Sequence, residues 1–253
     1  KNIFYSNYPV QMHQRLKQPN LAKTLKTISA NGVKGFYEGD VATKIDTFMR
    51  ENGGLITKKD LKNYRPIWRE TLQGTFNEYK IISMGPPSSG GVHIIQMLNI
   101  LENYDLVMMG HNSPTYTALL TESMKYAYAD RSKYLGDPEF FDVPVQSLIS
   151  KEYAKKINNK IKLNSITPSE KILPGSELKN ESLDTTHFSV ADKNGNIVSN
   201  TYTLNSGFGS GVVVDGTGIL MNNEMDDFVS APGVPNQFGL IGGEANKIEP
   251  FKR

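Results

Sequence analysis

The 253-residue chain carries 28 basic and 26 acidic side chains, a formal net charge of +2, and 38% hydrophobic residues. That length and composition bury the core of one large domain or two small ones, and the near-balanced charge gives no electrostatic footprint for nucleic acid. No apolar run approaches the roughly 18 residues of a membrane span, Lys1-Asn2-Ile3-Phe4 does not read as the start of a signal peptide, and without cysteine the sequence forms no disulfide and offers no thiolate, in a reducing or an oxidising compartment.

In chain order, the first half is rich in helix. Leu21–Ala30 is predicted helical with Asn20 as cap and Gly32 as terminator, and Val41–Glu51 with Asp40 as cap before Gly53-Gly54. Thr57-Lys58-Lys59-Asp60 starts a short helix. Ile67–Phe76 and Tyr79–Met84 read as strands, and helices follow over Val92–Leu101, Pro114–Tyr134 and Ser150–Lys162. The polar stretch Asn164–Asp184, with Pro168, Pro174 and Gly175, reads as an exposed connection. No internal repeat is evident.

The connection runs into Thr185-Thr186-His187-Phe188-Ser189-Val190, a hydroxyl-bearing start followed by a strand pattern. Asn194-Gly195 is a hairpin turn signal and Ile197–Leu204 the returning strand, which brings Thr203 and Asn205 back towards Thr185. Thr-Thr alone is an ordinary strand start. As a nucleophile, Thr needs an adjacent base. If the Asp184–Thr185 bond is cut, the freed α-amine, whose ordinary pKa is about 7.7–8.0, becomes that base.

The acidic run Asn222-Asn223-Glu224-Met225-Asp226-Asp227-Phe228 admits a solvated loop, a cation site or a receptor for an amine. No calcium-loop spacing occurs in it, whereas carboxylates form strong charge-assisted hydrogen bonds with ammonium groups. Gly85-Pro86-Pro87-Ser88-Ser89-Gly90-Gly91 precedes a helix start, where Ser88 or Ser89 can cap, but it lacks a phosphate-loop or dinucleotide fingerprint and reads as a structural turn. Gly239-Leu240-Ile241-Gly242-Gly243 reads as a loop. His13, His93, His111 and His187 lack metal-ligand spacing, and His187 is assigned a structural role.

Taken together, the Thr185 motif, Asp192-Lys193-Asn194-Gly195-Asn196, Thr201–Asn205 and the acidic run resemble the start of the small subunit of the γ-glutamyltransferases (γ-glutamyltranspeptidases), and Gly85–Gly91 resembles a stretch of their large subunit. The resemblance implies a mixed α/β (α+β) chain, an incomplete form of the αββα sandwich of N-terminal-nucleophile hydrolases. It divides the sequence into residues 1–184, from the large-subunit region and ending in a linker from about 164, and residues 185–253, from the small-subunit region.

What the resemblance implies for chemistry is specific. Thr185 is the nucleophile, released by autocleavage at Asp184–Thr185, and the Thr203 hydroxyl hydrogen-bonds it. Asn205, Glu224 and Asp227 hold the α-amino group of the donor. The donor is glutathione or another γ-glutamyl amide and the acceptor is water, an amino acid or a peptide, with no cofactor and no metal. Poly-γ-glutamate processing and a catalytically silent homologue are the alternatives. Large and small subunits pair after cleavage, in a periplasmic or secreted location, with no nucleic-acid partner. The family also has a carboxylate-binding Arg before this region and Ser-Ser and Gly-Gly motifs beyond it. The chain is accordingly expected to be an internal fragment, uncut and inactive by itself.

Overall fold

The computed structural model describes His13 and residues 15–172, 185–231 and 233–253; Asp184, and with it the expected cleavage bond, lies outside the described residues. The chain divides into two compact units. One comprises the described residues within Lys1–Ile67 and Asp184–Glu224, the other those within Trp68–Leu183 and Met225–Arg253.

The first unit opens with helices α1 (Pro19–Asn31), α2 (Lys34–Tyr37), α3 (Gly39–Glu51) and α4 (Lys58–Asn63). Two expected caps are displaced. Pro19, whose ring presets a helical φ, starts α1 after Gln18, so Asn20 lies inside the first turn. Glu38 is the residue before α3, and Asp40 sits in that first turn. The stops were legible: Gly32 leaves α1 at φ +57°. Thr57 starts α4 through a capping box, its hydroxyl accepting from Asp60 N–H while the Asp60 carboxylate accepts from Thr57 N–H.

The α3 face bearing Val41 and Ile45 packs with Val214, and Phe36, Phe48 and Ile219 close over them. Val214 belongs to the small hairpin of β5 (Val213–Val214) and β6 (Ile219–Leu220), antiparallel in register Val214↔Ile219. Removing each such aliphatic side chain from water contributes about 1.5–3 kcal/mol. Buried Thr24 on α1 donates to the Thr217 carbonyl at 2.8 Å and ties α1 to the turn of that hairpin. Gly218 completes the contact: at φ +69°, a Cβ there would stand 2.6 Å from the Leu21 nitrogen.

The remaining pair in this unit, β3 (Thr186–Ala191) and β4 (Ile197–Tyr202), is an antiparallel hairpin in register Thr186↔Tyr202 through Ala191↔Ile197. It closes through Asp192–Asn196, where the Asp192 carboxylate accepts from the N–H groups of Asn194 and Asn196 and Gly195 takes φ +84°. Neither face is covered within the described residues: every residue of β3 and β4 but Asn200 is exposed. The strand ends are shorter than expected. Thr185 precedes β3, and Thr203 and Leu204 follow β4.

In the second unit β1 (Leu72–Phe76) pairs with β2 (Tyr79–Ser83). Residues 67–71 were expected in the first strand, but the five residues of β2 give ladder partners only to Leu72–Phe76. Helix α5 (Gly90–Leu101) packs against this hairpin and against α7 (Pro114–Tyr134) and α9 (Lys151–Asn158), with the four-residue helices α6 (Leu106–Met109) and α8 (Val145–Leu148) between them. Val92, Ile95, Leu135, Leu148 and Ile149 form one apolar cluster, and Ile100, Leu101, Leu119, Ala154 and Ile157 belong to another.

In the 85–91 turn, Gly91 is the glycine that the packing requires. A Cβ on Gly91 would lie 2.0 Å from the Met84 carbonyl oxygen, so only glycine lets α5 start against the end of β2. Polar groups link α5, α7 and α9: Gln96 Nε2 on α5 donates to Asp130 on α7 at 2.6 Å, the Tyr153 hydroxyl on α9 donates to the same carboxylate at 2.9 Å, and Asn99 Nδ2 on α5 donates to the Ile149 carbonyl at 2.6 Å. Among the described residues, no helix is long and apolar enough to cross a membrane.

Candidate active site

Thr185 is exposed at the head of β3. The β3–β4 ladder ends at Thr186↔Tyr202, so Thr185 and Thr203 are the next residues beyond it on either side and are not paired in it. Among the described residues no hydrogen bond joins the two hydroxyls. Thr203 Oγ1 instead accepts from Asn205 N–H at 2.9 Å. That contact turns the chain out of β4 and sets Asn205 in the left-handed region at φ +72°, where asparagine is among the better-tolerated residues.

Asn205 is buried, and its Nδ2 donates to the Asn223 carbonyl at 3.1 Å. The clamp is reciprocal. Asn223 Oδ1 accepts from Ser206 N–H at 3.0 Å, Asn223 Nδ2 donates to Ser206 Oγ at 3.1 Å, and Asn223 N–H donates to the Leu204 carbonyl at 3.1 Å. Four contacts thus hold the 204–206 segment to Asn223, at the start of the acidic run. Glu224 follows at once, its N–H capped by Asn222 Oδ1 at 3.0 Å, and begins a single 3-10 turn, Glu224–Asp227.

Asp226 and Asp227 face different tasks. The Asp226 carboxylate accepts from Gln237 N–H at 3.1 Å, anchoring the following loop, while the Asp227 main-chain carbonyl accepts from Asn246 Nδ2 at 2.7 Å. The Asp227 carboxylate accepts no hydrogen bond among the described residues. It lines a cavity of about 360 Å³ in the second unit, together with Arg131, Ser89, Asp226, Asn236 and Asn246. Burial by the cavity wall raises the Asp227 carboxyl above the ordinary carboxylate range; the positive charge of Arg131 opposes that rise and the neighbouring Asp226 adds to it. A carboxylate without a partner in a partly desolvated wall is suited to a cationic group.

His187 serves the hairpin. Its Nδ1 lies 2.7 Å from Thr201 Oγ1 and its Nε2 3.1 Å from Ser199 Oγ, both on the partner strand, which fits the structural role expected of it. Among the described residues no group of three or more His, Cys, Asp or Glu side chains is placed to hold a metal ion.

Arg131 escaped the sequence reading. Its signal was available in α7: Leu119, Ser123 and Ala127 recur every fourth residue on the buried stripe, and Arg131 is the next step. A charge continuing an inward-facing stripe needs a partner or a ligand.

Comparisons with known proteins establish the family of the chain. The family model for gamma-glutamyltranspeptidase matches residues 1–253, and the chain belongs to that family. It is 50% identical over 254 residues to the glutathione hydrolase proenzyme of Escherichia coli (strain K12), with 100% of this chain and 44% of that protein covered. The crystal structure of Helicobacter pylori gamma-glutamyltranspeptidase matches with a TM-score of 0.66 at 46% identity, covering 72% of this chain and 53% of that one. The cephalosporin acylase of Bacillus halodurans matches with a TM-score of 0.79 at 28% identity, covering 100% of this chain and 43% of that one. The fold is therefore α+β, of the N-terminal-nucleophile hydrolase type, and the chain spans less than half the length of the curated relatives it matches.

Proposed function

We propose that the complete protein is an enzyme of γ-glutamyl transfer and hydrolysis, acting on glutathione and related γ-glutamyl amides, and that it is made as a proenzyme cut between Asp184 and Thr185. In this reading residues 1–184 contribute to a large subunit and residues 185–253 to a small one, and the two remain paired. The site is extracytoplasmic, periplasmic or secreted.

The chemistry follows from one residue. Thr185 Oγ1 attacks the Asp184 carbonyl, the Thr185 amide nitrogen takes a proton and leaves as an amine, and water hydrolyses the resulting ester. The free Thr185 amine then accepts the proton of Oγ1 as that oxygen attacks the γ-carbonyl of the donor. The proton passes to the departing amine, leaving a γ-glutamyl ester on Thr185. Attack by water yields glutamate and attack by an acceptor amine yields a new γ-glutamyl amide, with Oγ1 recovering its proton. Thr203 orients the nucleophile, and Asn205, Glu224 and Asp227 receive the donor's ammonium group.

The observation that supports this most is the clamp of Asn205 on Asn223, which fixes the segment after the Thr185 hairpin to the start of the acidic run. In a member of this family, nucleophile and ammonium receptor belong on those two segments. The acylase likeness fits the same amide acyl chemistry, and the carboxylates favour an acyl group that carries an amine.

Kinetics with a γ-glutamyl anilide test the substrate half of the proposal. Asp227→Asn in the complete protein leaves processing intact and lowers kcat/KM about 10-fold to 150-fold, equivalent to a lost charged hydrogen bond of about 1.5–3 kcal/mol. An unchanged kcat/KM removes Asp227 from the site.

A further inference from the structure

Arg131 lies in the last turn of α7 and lines the same cavity as Asp227. The only hydrogen bond its side chain makes among the described residues is a long one, Nε to Ser89 Oγ at 3.4 Å, and among those residues no carboxylate lies within ion-pair distance of it. The charged side chains on the wall are Arg131, Asp226 and Asp227. Asp226 is already engaged by Gln237 N–H, which leaves Arg131 and Asp227 as the two charges facing the space without close partners.

We propose that Arg131 is a positioning residue for Asp227: across the shared cavity its guanidinium keeps the Asp227 carboxylate anionic and free of a direct ion pair, ready for the donor's ammonium group. This rests on the reading of Asp227 as an ammonium receptor. The physical reason is a balance. A contact ion pair would occupy the carboxylate and compete with the substrate, whereas no positive charge at all would leave a desolvated carboxyl beside Asp226 prone to protonation.

The electrostatics agree with the geometry. Burial lowers the Arg131 pKa and Asp227 raises it in return, while Arg131 is the influence that pulls Asp227 down. His93, on α5, also feels Arg131; burial first and that charge second lower its pKa to about 4, so it stays neutral at working pH and adds no competing charge. With Arg131 neutralised, burial and Asp226 act on Asp227 unopposed and its titration moves upward.

The test uses the complete protein, with Asp side chains 13C-labelled at the carboxyl and the Asp227 resonance assigned by its loss in Asp227→Asn. Arg131→Gln raises the Asp227 titration midpoint by about one pH unit or more, and Arg131→Lys stays near the wild-type midpoint. The acid limb of kcat/KM for a γ-glutamyl anilide moves up by the same amount in the Gln variant and is restored in the Lys variant. Arg131→Met is the second neutral variant if Gln does not fold. An unmoved Asp227 midpoint in a folded neutral variant overturns the proposal, as does a moved midpoint with an unmoved acid limb. If the wild-type protein does not turn over γ-glutamyl substrates at all, the functional reading fails, and the carboxyl titration still decides whether Arg131 governs Asp227.

Discussion

Asn205 donates from Nδ2 to the main-chain carbonyl of Asn223 at 3.1 Å, across 18 residues of sequence, and does so from a left-handed backbone conformation. The single side chain therefore satisfies two demands: it tolerates φ +72°, and it fixes the turn after β4 to the irregular segment leading into Glu224.

Substitution at this position separates the two demands. Asn205→Gly loses the side-chain hydrogen bond and keeps the backbone conformation; Asn205→Ala loses both. The expected stability order is Asn above Gly above Ala, with Ala lower than Asn by about 2–4 kcal/mol from a lost buried hydrogen bond and left-handed strain. Urea denaturation measures it, and an Ala variant as stable as the Gly variant would show that backbone strain plays no part.

Gly91 carries a second stability prediction. Because a Cβ there meets the Met84 carbonyl oxygen at 2.0 Å, and the obstacle is backbone rather than a movable side chain, Gly91→Ala forces the start of α5 away from β2. A loss of about 3 kcal/mol is expected, readable as a lowered denaturation midpoint. Gly195→Ala is the control: a Cβ there meets nothing within 4 Å, so only its φ of +84° is at stake and the loss is smaller.

Much of this architecture was legible in the sequence, and the failures have identifiable causes. Pro114–Tyr134 matched in both bounds because Ser113 caps it and proline occupies its first position. Asn20 and Asp40 failed as caps since any good capping residue near a helix start looks alike in sequence, and Pro19 had already fixed where α1 begins. Helices α2, α6 and α8, four residues each, are too short to show a period of 3.6. In the candidate site, the β3–β4 hairpin was legible because its register is local, while the roles of Thr185, Thr203 and Asn205 were drawn from the family resemblance. The stripe through Leu119, Ser123 and Ala127 could have singled out Arg131, but its relation to Asp227 spans 96 residues and depends on how α7 meets the 225–246 loops, which no local pattern encodes.

Asp130 gives a pH prediction. Burial raises its carboxyl above the ordinary value, and the hydrogen bonds from Gln96 and Tyr153 only partly offset that. A raised carboxyl means that the folded state favours the protonated form. Its contribution to stability is fully present below the unfolded pKa of about 3.9 and is lost as pH rises through the folded value. Asp130→Asn is neutral at all pH. Its stability relative to wild type therefore improves from pH 4 to pH 7 in paired thermal melts, and a difference independent of pH would contradict the assignment.

The central claim is that Thr185 is a nucleophile which first releases itself. Intact-mass analysis of the complete protein, wild type beside Thr185→Ala, tests it most directly. The wild type is expected to yield two polypeptides, the smaller beginning at Thr185, and the variant to remain one uncut chain. A wild-type protein that never produces a fragment starting at Thr185, or a Thr185→Ala variant cut at the same bond, would contradict the account.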